Sequence, residues 1–295
     1  VLELSVVALR WLQFAGASLL LGMALQRLYG PAVGTTSQAR GLSLIAGGVV
    51  AAAAAAGLLA QVAVMAGSVA AALDPAAFGY VAFGTPLGLA HLARAVLGLL
   101  AVAVAASPLG GVRRQTGLAA LGLGVCASFA WSGHAGATPA PLGVWHLAAD
   151  ALHVAAAGLW LGGLGAFVAA AQRSSRVPPR QLAEALAGFA SAGTLAVAVL
   201  AVTGLFNAYV LIGPGAAATV LTTLYGQLLA IKLGLFAAML GLAAVNRFHL
   251  TPVALAVPDG ALRRLRLSLG LEAALGAAVL ALVAVIGTLA PPAAF

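Results

Sequence analysis

The sequence carries little charge. Its 14 basic and 6 acidic side chains are 7% of 295 residues, where a soluble domain has about 25%. So few ionic groups cannot solvate a water-soluble surface of this size, and a hydrophobic content of 63% excludes a disordered chain. A single cysteine, Cys126, excludes an internal disulfide framework and any CxxC redox pair. No Walker, GxSxG or HExxH pattern occurs and no clear repeat, so those chemistries have no signature here. The net charge of +8 is not gathered into the patch that a nucleic-acid surface needs. Basic residues instead punctuate long apolar runs, as in a polytopic membrane protein, and no nucleic-acid partner is expected.

Apolar residues are abundant, and they come in runs suited to a bilayer. A spanning helix needs about 20 mostly apolar residues. Eight candidate runs stand between charged or Pro/Gly-rich breaks: 4–26, 43–72, 88–107, 117–133, 144–171, 184–212, 225–246 and 268–290. They are rich in Leu, Ala and Val with Gly throughout, without the ten-residue alternation of a membrane β-barrel. The expected fold is all-α: one polytopic bundle of eight transmembrane helices, residues 1–295 forming a single domain. The first run is long, contains Arg10 and lacks a basic leader, which reads as a span and not as a signal peptide. Gly158 and Gly162 have the GxxxG spacing that lets two membrane helices approach closely.

The cations give the orientation. Arg27 and Arg40, Arg113 and Arg114, Arg173, Arg176 and Arg180, and Arg247, Arg263, Arg264 and Arg266 follow spans one, three, five and seven. The alternate connections 73–87, 134–143 and 213–224 hold no Lys or Arg. The positive-inside rule puts the Arg-rich side in the cytoplasm. Eight spans then place both termini outside, in the periplasm of a Gram-negative cell.

Ionisable groups inside a bilayer cost about 2.5–3.5 kcal/mol on insertion scales, so each is a functional candidate. The fifth run has the densest set. His146, Asp150 and His153 share one helical face, with Trp160 seven residues on. At 1.5 Å per residue, His153 lies about 15 Å below Gly143 and about 10 Å from His146. That separation is too long for both to chelate one ion, so they mark two levels of a path or two sites completed by other helices. His134 stands just upstream in the outer connection, and His91 lies in the third run. In the seventh run Tyr225, Lys232, Met239 and Asn246 recur every seven residues and line one side. Met239, and Met65 in the second run, are candidate soft thioether ligands, although methionine more often fills core space. Arg10, Arg94 and Lys232 face a single outer acid, Asp150, which is a poor field for admitting a cation by charge alone.

Several ordered stretches resemble the copper resistance protein D family of bacterial inner-membrane proteins. They are Gly133-His134-Ala135, His146-Leu147-x-x-Asp150-x-x-His153 and Leu159-Trp160-Leu161-Gly162-Gly163-Leu164. Thr203-Gly204-x-x-Asn207-Ala208, Tyr225-Gly226-x-Leu228-Leu229-x-x-Lys232, Asn246-Arg247, Glu272 and Pro291-Pro292 continue the likeness. The resemblance implies an eight-helix, multi-pass protein of the inner (plasma) membrane that handles copper and is not an enzyme. It also implies a small periplasmic copper-binding protein as partner, beside the lipid bilayer. One departure stands out: the family commonly shows His within Arg-Trp-Leu-His-Phe, where this chain has Arg10-Trp11-Leu12-Gln13-Phe14. The weight of metal binding then shifts to His134, His146 and His153.

The expected function is copper transport, resistance or homeostasis, with Cu(I) favoured over Cu(II). Copper enters at His134 and His91, moves to His146 and passes His153, with Met239 or Met65 for a softer step. Asp150 orients the imidazoles or relays protons, with Arg94, Lys232, Asn207, Tyr225 and Trp160 around this path. Two other readings stay open. One is a b-type haem electron-transfer protein, with His91 and His146 as the axial pair and Arg10, Arg94 and Lys232 holding propionates. The other is a dock for the periplasmic copper-binding protein that transports nothing.

Overall fold

The computed structural model describes residues 2–31, 34–172, 179–216, 218–256 and 258–294. They fold as helices with no strand among them. In order these are α1 (Leu2–Tyr29), α2 (Thr36–Ala66), α3 (Pro75–Gly84), α4 (Pro86–Ala106) and α5 (Gly111–Ser128). There follow α6 (Leu142–Gln172), α7 (Pro179–Ala216), α8 (Leu224–Val245), α9 (Thr251–Ala256) and α10 (Pro258–Ile286). Seven helical stretches are long and apolar enough to cross a membrane: α1, α2, α4, α6, Arg180–Ala216, Leu224–Ala256 and Arg263–Ile286. The run expected at 117–133 is α5, which has 18 residues and does not join that set. Its first turns spend their length on Arg113, Arg114, Gln115 and Thr116, leaving fewer than four apolar turns.

Local chemistry explains where the helices stop. Thr35, Asp74, Thr85 and Thr223 cap the starts of α2, α3, α4 and α8, each side chain accepting an N–H of the first turn. The expected second span runs to residue 72, but α2 ends at Ala66 because Gly67 turns left-handed (φ 79°). Helix α7 kinks at Gly213 (φ 69°), just before Pro214. The chain after α8 continues through a π-helical turn, Asn246–Leu250, into α9. Helix α3, ten residues long, lies in the connection between α2 and α4 and packs on α4.

The bundle has two polar ends. At one end α2 meets α4 through Gly57 and His91, α4 meets α5 through Arg94 and Ser128, and α6 meets α7 through Asp150 and Asn207. At the other, the Arg40 guanidinium reaches the Ala106 carbonyl, Gln38 donates to Ala169, and Arg247 donates to Thr194. Arg27, Arg40, Arg114 and Arg247 thus collect opposite the histidine-bearing end, as the charge pattern predicts. Arg173 and Arg176 lie outside the described residues.

Two four-helix groups, α1–α2–α4–α5 and α6–α7–α8–α10, join mainly where α1 packs on α6. A Cβ added to Gly22 would sit 2.6 Å from the Gly158 carbonyl oxygen and 2.5 Å from the Gly163 nitrogen. One on Gly162 would fall onto the Ser18 carbonyl and 2.9 Å from the Gly22 Cα. The glycines therefore hold two backbones in contact, which is the membrane version of tight packing. Gly162→Ala should lower the thermal midpoint of the purified protein, at a cost of about 1–3 kcal/mol for overpacking. Gly241→Ala, where nothing lies within 4 Å, should leave that midpoint unchanged or slightly raised. Equal midpoints for the two variants would remove the glycine contact as the joint between the halves.

Candidate functional site

The α6 face carries the expected groups on successive levels. His146, in the first turns of α6, is 1% exposed, and its Nδ1 lies 2.7 Å from the Thr138 hydroxyl. That hydroxyl also approaches the His134 carbonyl at 3.2 Å. The carbonyl can only accept, so the network assigns the hydroxyl proton to it and leaves the His146 Nδ1–H as donor to Thr138. One level deeper, His153 Nδ1 sits 2.9 Å from the Thr203 hydroxyl, which donates to Val199 O at 2.6 Å. By the same reasoning His153 donates from Nδ1. In this tautomer each ring carries its lone pair on Nε2; the Leu200 carbonyl is a further hydrogen-bonding neighbour of the His153 ring.

His134 opens the short 3-10 turn between α5 and α6, and it is an electrostatic neighbour of His146. Its ring centroid is 6.4 Å from that of Tyr225, which is buried in the first turn of α8. The His134 Nε2 is buried without a hydrogen-bond partner. Burial pushes the His134 pKa below its ordinary value; the nearby Ile286 carbonyl opposes this, and the Arg10 charge adds to it. The neutral, ligating imidazole therefore persists to more acidic pH than in a free histidine.

Asp150 lies between these levels. It accepts from Asn207 Nδ2 at 3.3 Å and has Arg10 and Lys232 as its charged neighbours. Neither makes an ion pair with it within 4.0 Å; Arg180–Glu184, at 2.9 Å on the surface, is the one such pair among the described residues. Asn207 Oδ1 and Arg10 Nε are buried without partners, so this level holds unspent hydrogen-bonding capacity. Lys232 also neighbours His153, and Arg10 lies against Gly287 just past α10.

His91 and Arg94 form a separate group in the first half of the bundle. His91 donates Nδ1–H to the Leu87 carbonyl (2.9 Å) and stands beside Gly57 and Gln13. Arg94, 1% exposed, donates to Ser128 at 3.0 Å and to Gln13 and Ser132, and stacks 4.3 Å over the Phe129 ring. Gln13 in turn donates to the Ala53 carbonyl at 3.0 Å. Gln13 is therefore a built part of this group, at the place where the family pattern has His. Thr138, Ser128 and Ser132 carry no signal in the sequence, being small hydroxyls in turns or apolar helices.

The structure gives the remaining candidates other surroundings. Met239 is 1% exposed in the hydrophobic core with Trp160, Phe167 and Leu269. Met65 is 58% exposed near the end of α2. His249 is exposed in the π-helical turn at the Arg-rich end. No three His, Cys, Asp or Glu side chains among the described residues converge tightly enough to cage an ion. The haem pairing gains no support, since His91 is held against α2 and His146 against Thr138.

Arg94→Lys should destabilise the protein by about 1–3 kcal/mol per acceptor left unpaired, because a compact ammonium cannot reach the acceptors that three separate guanidinium nitrogens meet, nor stack on the Phe129 ring. A denaturation midpoint like that of the unsubstituted protein would show that the guanidinium is not holding α1, α4 and α5 together.

A family model described as "Copper resistance protein D-like, N-terminal domain" matches residues 1–144, and one described as "Copper resistance protein D" matches residues 183–286. The α6 face from His146 to His153 lies between the two matches. Copper resistance protein D of Pseudomonas syringae pv. tomato is 40% identical over 174 residues, 56% of this chain and 56% of that protein. Copper transport protein CutJ of Bacillus subtilis (strain 168) is 36% identical over 98 residues, 33% of this chain and 18% of the relative. Inner membrane protein YebZ of Escherichia coli (strain K12) is 32% identical over 146 residues, 50% of this chain and 49% of that one. The matches thus span about half the length of the first and third relatives and less of CutJ. No solved structure matches. Two models whose descriptions both name copper resistance protein D cover the helices on both sides of α6, and the chain belongs to the copper resistance protein D family.

Proposed function

We propose that this protein handles copper in the bacterial inner membrane, taking it from the outer side and moving it into or across the bilayer along α6. One observation carries the reading. His134, His146 and His153 stand on successive levels of one end of the bundle, and the latter two have Nδ1 tied to neutral hydroxyls. That arrangement fixes the tautomer that presents Nε2, the usual preparation of a metal-binding imidazole. The family's copper names supply the cargo. Imidazole suits copper, and the absence of a closed cage among the described residues fits a path of weak stations better than a storage site. Cu(I) is the form we favour over Cu(II).

In this reading α5 is the eighth span, the bundle is one domain, and both termini lie outside. His134 receives copper, from a small periplasmic copper-binding protein, and His146 and His153 pass it inward. Asp150 offsets the arriving positive charge and balances Arg10 and Lys232. His91 stays with Gln13 and Arg94 as part of the scaffold.

His146→Ala and His153→Ala should each abolish copper-dependent growth or copper accumulation in cells with matched protein levels. Asp150→Asn and Thr203→Val should only weaken it, by about 10–100-fold in affinity or activity, as loss of an orienting partner does. Wild-type behaviour of both alanine variants would remove α6 from the copper path. A reporter fused to the C-terminus should read as periplasmic, and one inserted at Leu109 as cytoplasmic. The opposite pattern would break the eight-span topology.

A further inference from the structure

A second polar site lies at the other end of the bundle. Helices α7 and α8 follow one another in the chain yet share almost no direct packing among the described residues. The space between them is a half-open cavity of about 230 Å³, floored by α6 and α10 and closed towards the Arg-rich end by the π-helical turn and α9. Its walls are apolar and aromatic, with Trp160, Phe167, Phe189, Leu240 and Phe248 among them. Three buried polar side chains enter this lining: Glu272 (3% exposed), Asn246 (5% exposed) and Thr251 (5% exposed).

The hydrogen bonds of Glu272 and Asn246 are incomplete. Asn246 Nδ2 donates to Glu272 Oε2 at 2.8 Å, and the Trp160 indole is a second donor towards the same carboxyl. Asn246 Oδ1 is buried with no partner. Glu272 has no cation within ion-pair distance among the described residues, and Arg247 at the rim is engaged with Thr194 (2.5 Å) and the Ala190 carbonyl (3.4 Å). The one polar atom of this pair left without any partner is an acceptor, Asn246 Oδ1, beside the remaining lone pairs of the Glu272 carboxyl group. A π-helical turn within a helix often marks a functional site, and this one supplies Asn246.

An occupant must bring O–H or N–H donors, because leaving those acceptors dry is costly. It must also be flat or apolar elsewhere, to lie among the aromatic side chains. A hydrated metal ion fits poorly, since two oxygens in an apolar cleft cannot replace its water shell. A phospholipid phosphate is itself an acceptor and would be set against the Glu272 carboxyl and the unpartnered Asn246 oxygen. We propose that the cleft binds a lipid-soluble hydroquinone: the ring sits between the aromatic walls, its hydroxyls donate to Glu272 and Asn246 Oδ1, and its isoprenoid tail leaves between α7 and α8. This site is independent of the copper reading, and no electron transfer is part of the proposal.

The test is equilibrium dialysis of the purified full chain in detergent with a short-tailed hydroquinone, beside its dimethyl ether, which has the same ring and no O–H. The hydroquinone should bind saturably, and the ether at least about tenfold more weakly. Glu272→Gln should weaken hydroquinone binding about tenfold. Ala244→Phe, which places a ring into the cleft from an exposed residue of its lining, should abolish binding. It also keeps the test decisive if the Glu272 variant fails to fold. Equal binding of hydroquinone and ether would mean generic apolar occupancy and overturn the proposal. So would absence of saturable binding, or unchanged binding in Ala244→Phe.

Discussion

The contact between α1 and α6 sets the level of every polar group at the histidine end. Gly22 lies against Gly162 and Gly163, and no side chain intervenes. Arg10 and Asp150 each stand twelve residues before their glycine, Gly22 and Gly162, on helices that enter the bundle from the same end. At 1.5 Å per residue both are carried about 18 Å from the contact, and they meet as electrostatic neighbours. A side chain larger than hydrogen at either glycine would spread the helices and separate that pair. One short-range steric condition thus positions an electrostatic one three turns away.

Neutral groups do most of the work of holding charge at this end. Arg94 is surrounded by an amide, two hydroxyls and a ring face, so its charge is delocalised over dipoles without a carboxylate. Direct ion pairs carry a large desolvation cost in a low-dielectric interior, and the described bundle largely avoids them. The same economy applies to His146 and His153, whose orienting partners are threonine hydroxyls. In the copper reading this leaves Asp150 as the one negative group on the α6 face and keeps the imidazoles neutral ligands.

Much of this was legible in the sequence. Apolar run length fixed the existence of the long helices, the arginine distribution separated the two ends, and the GxxxG spacing at Gly158 and Gly162 marked a backbone contact. The i, i+4, i+7 spacing put His146, Asp150 and His153 on one face without any structure. What sequence could not reveal was pairing between helices. That Thr203 would meet His153, or Gln13 meet Arg94, depends on relative rotation and depth, which hydropathy does not encode. The ends of the runs were less legible too. Hydrophobicity continues past Ala66, and the stop comes from the left-handed Gly67. The cleft between α7 and α8 left no trace in composition, since it arises from helices that fail to touch.

The central claim is that the imidazoles of His134, His146 and His153 bind copper through Nε2. X-ray absorption of the purified protein loaded with one equivalent of Cu(I) examines those bonds directly. The account predicts imidazole scattering with copper–nitrogen distances near 2 Å, retained in His91→Ala and lost when His134, His146 and His153 are replaced together by alanine. Copper held with an unchanged imidazole signal in that triple variant would contradict it.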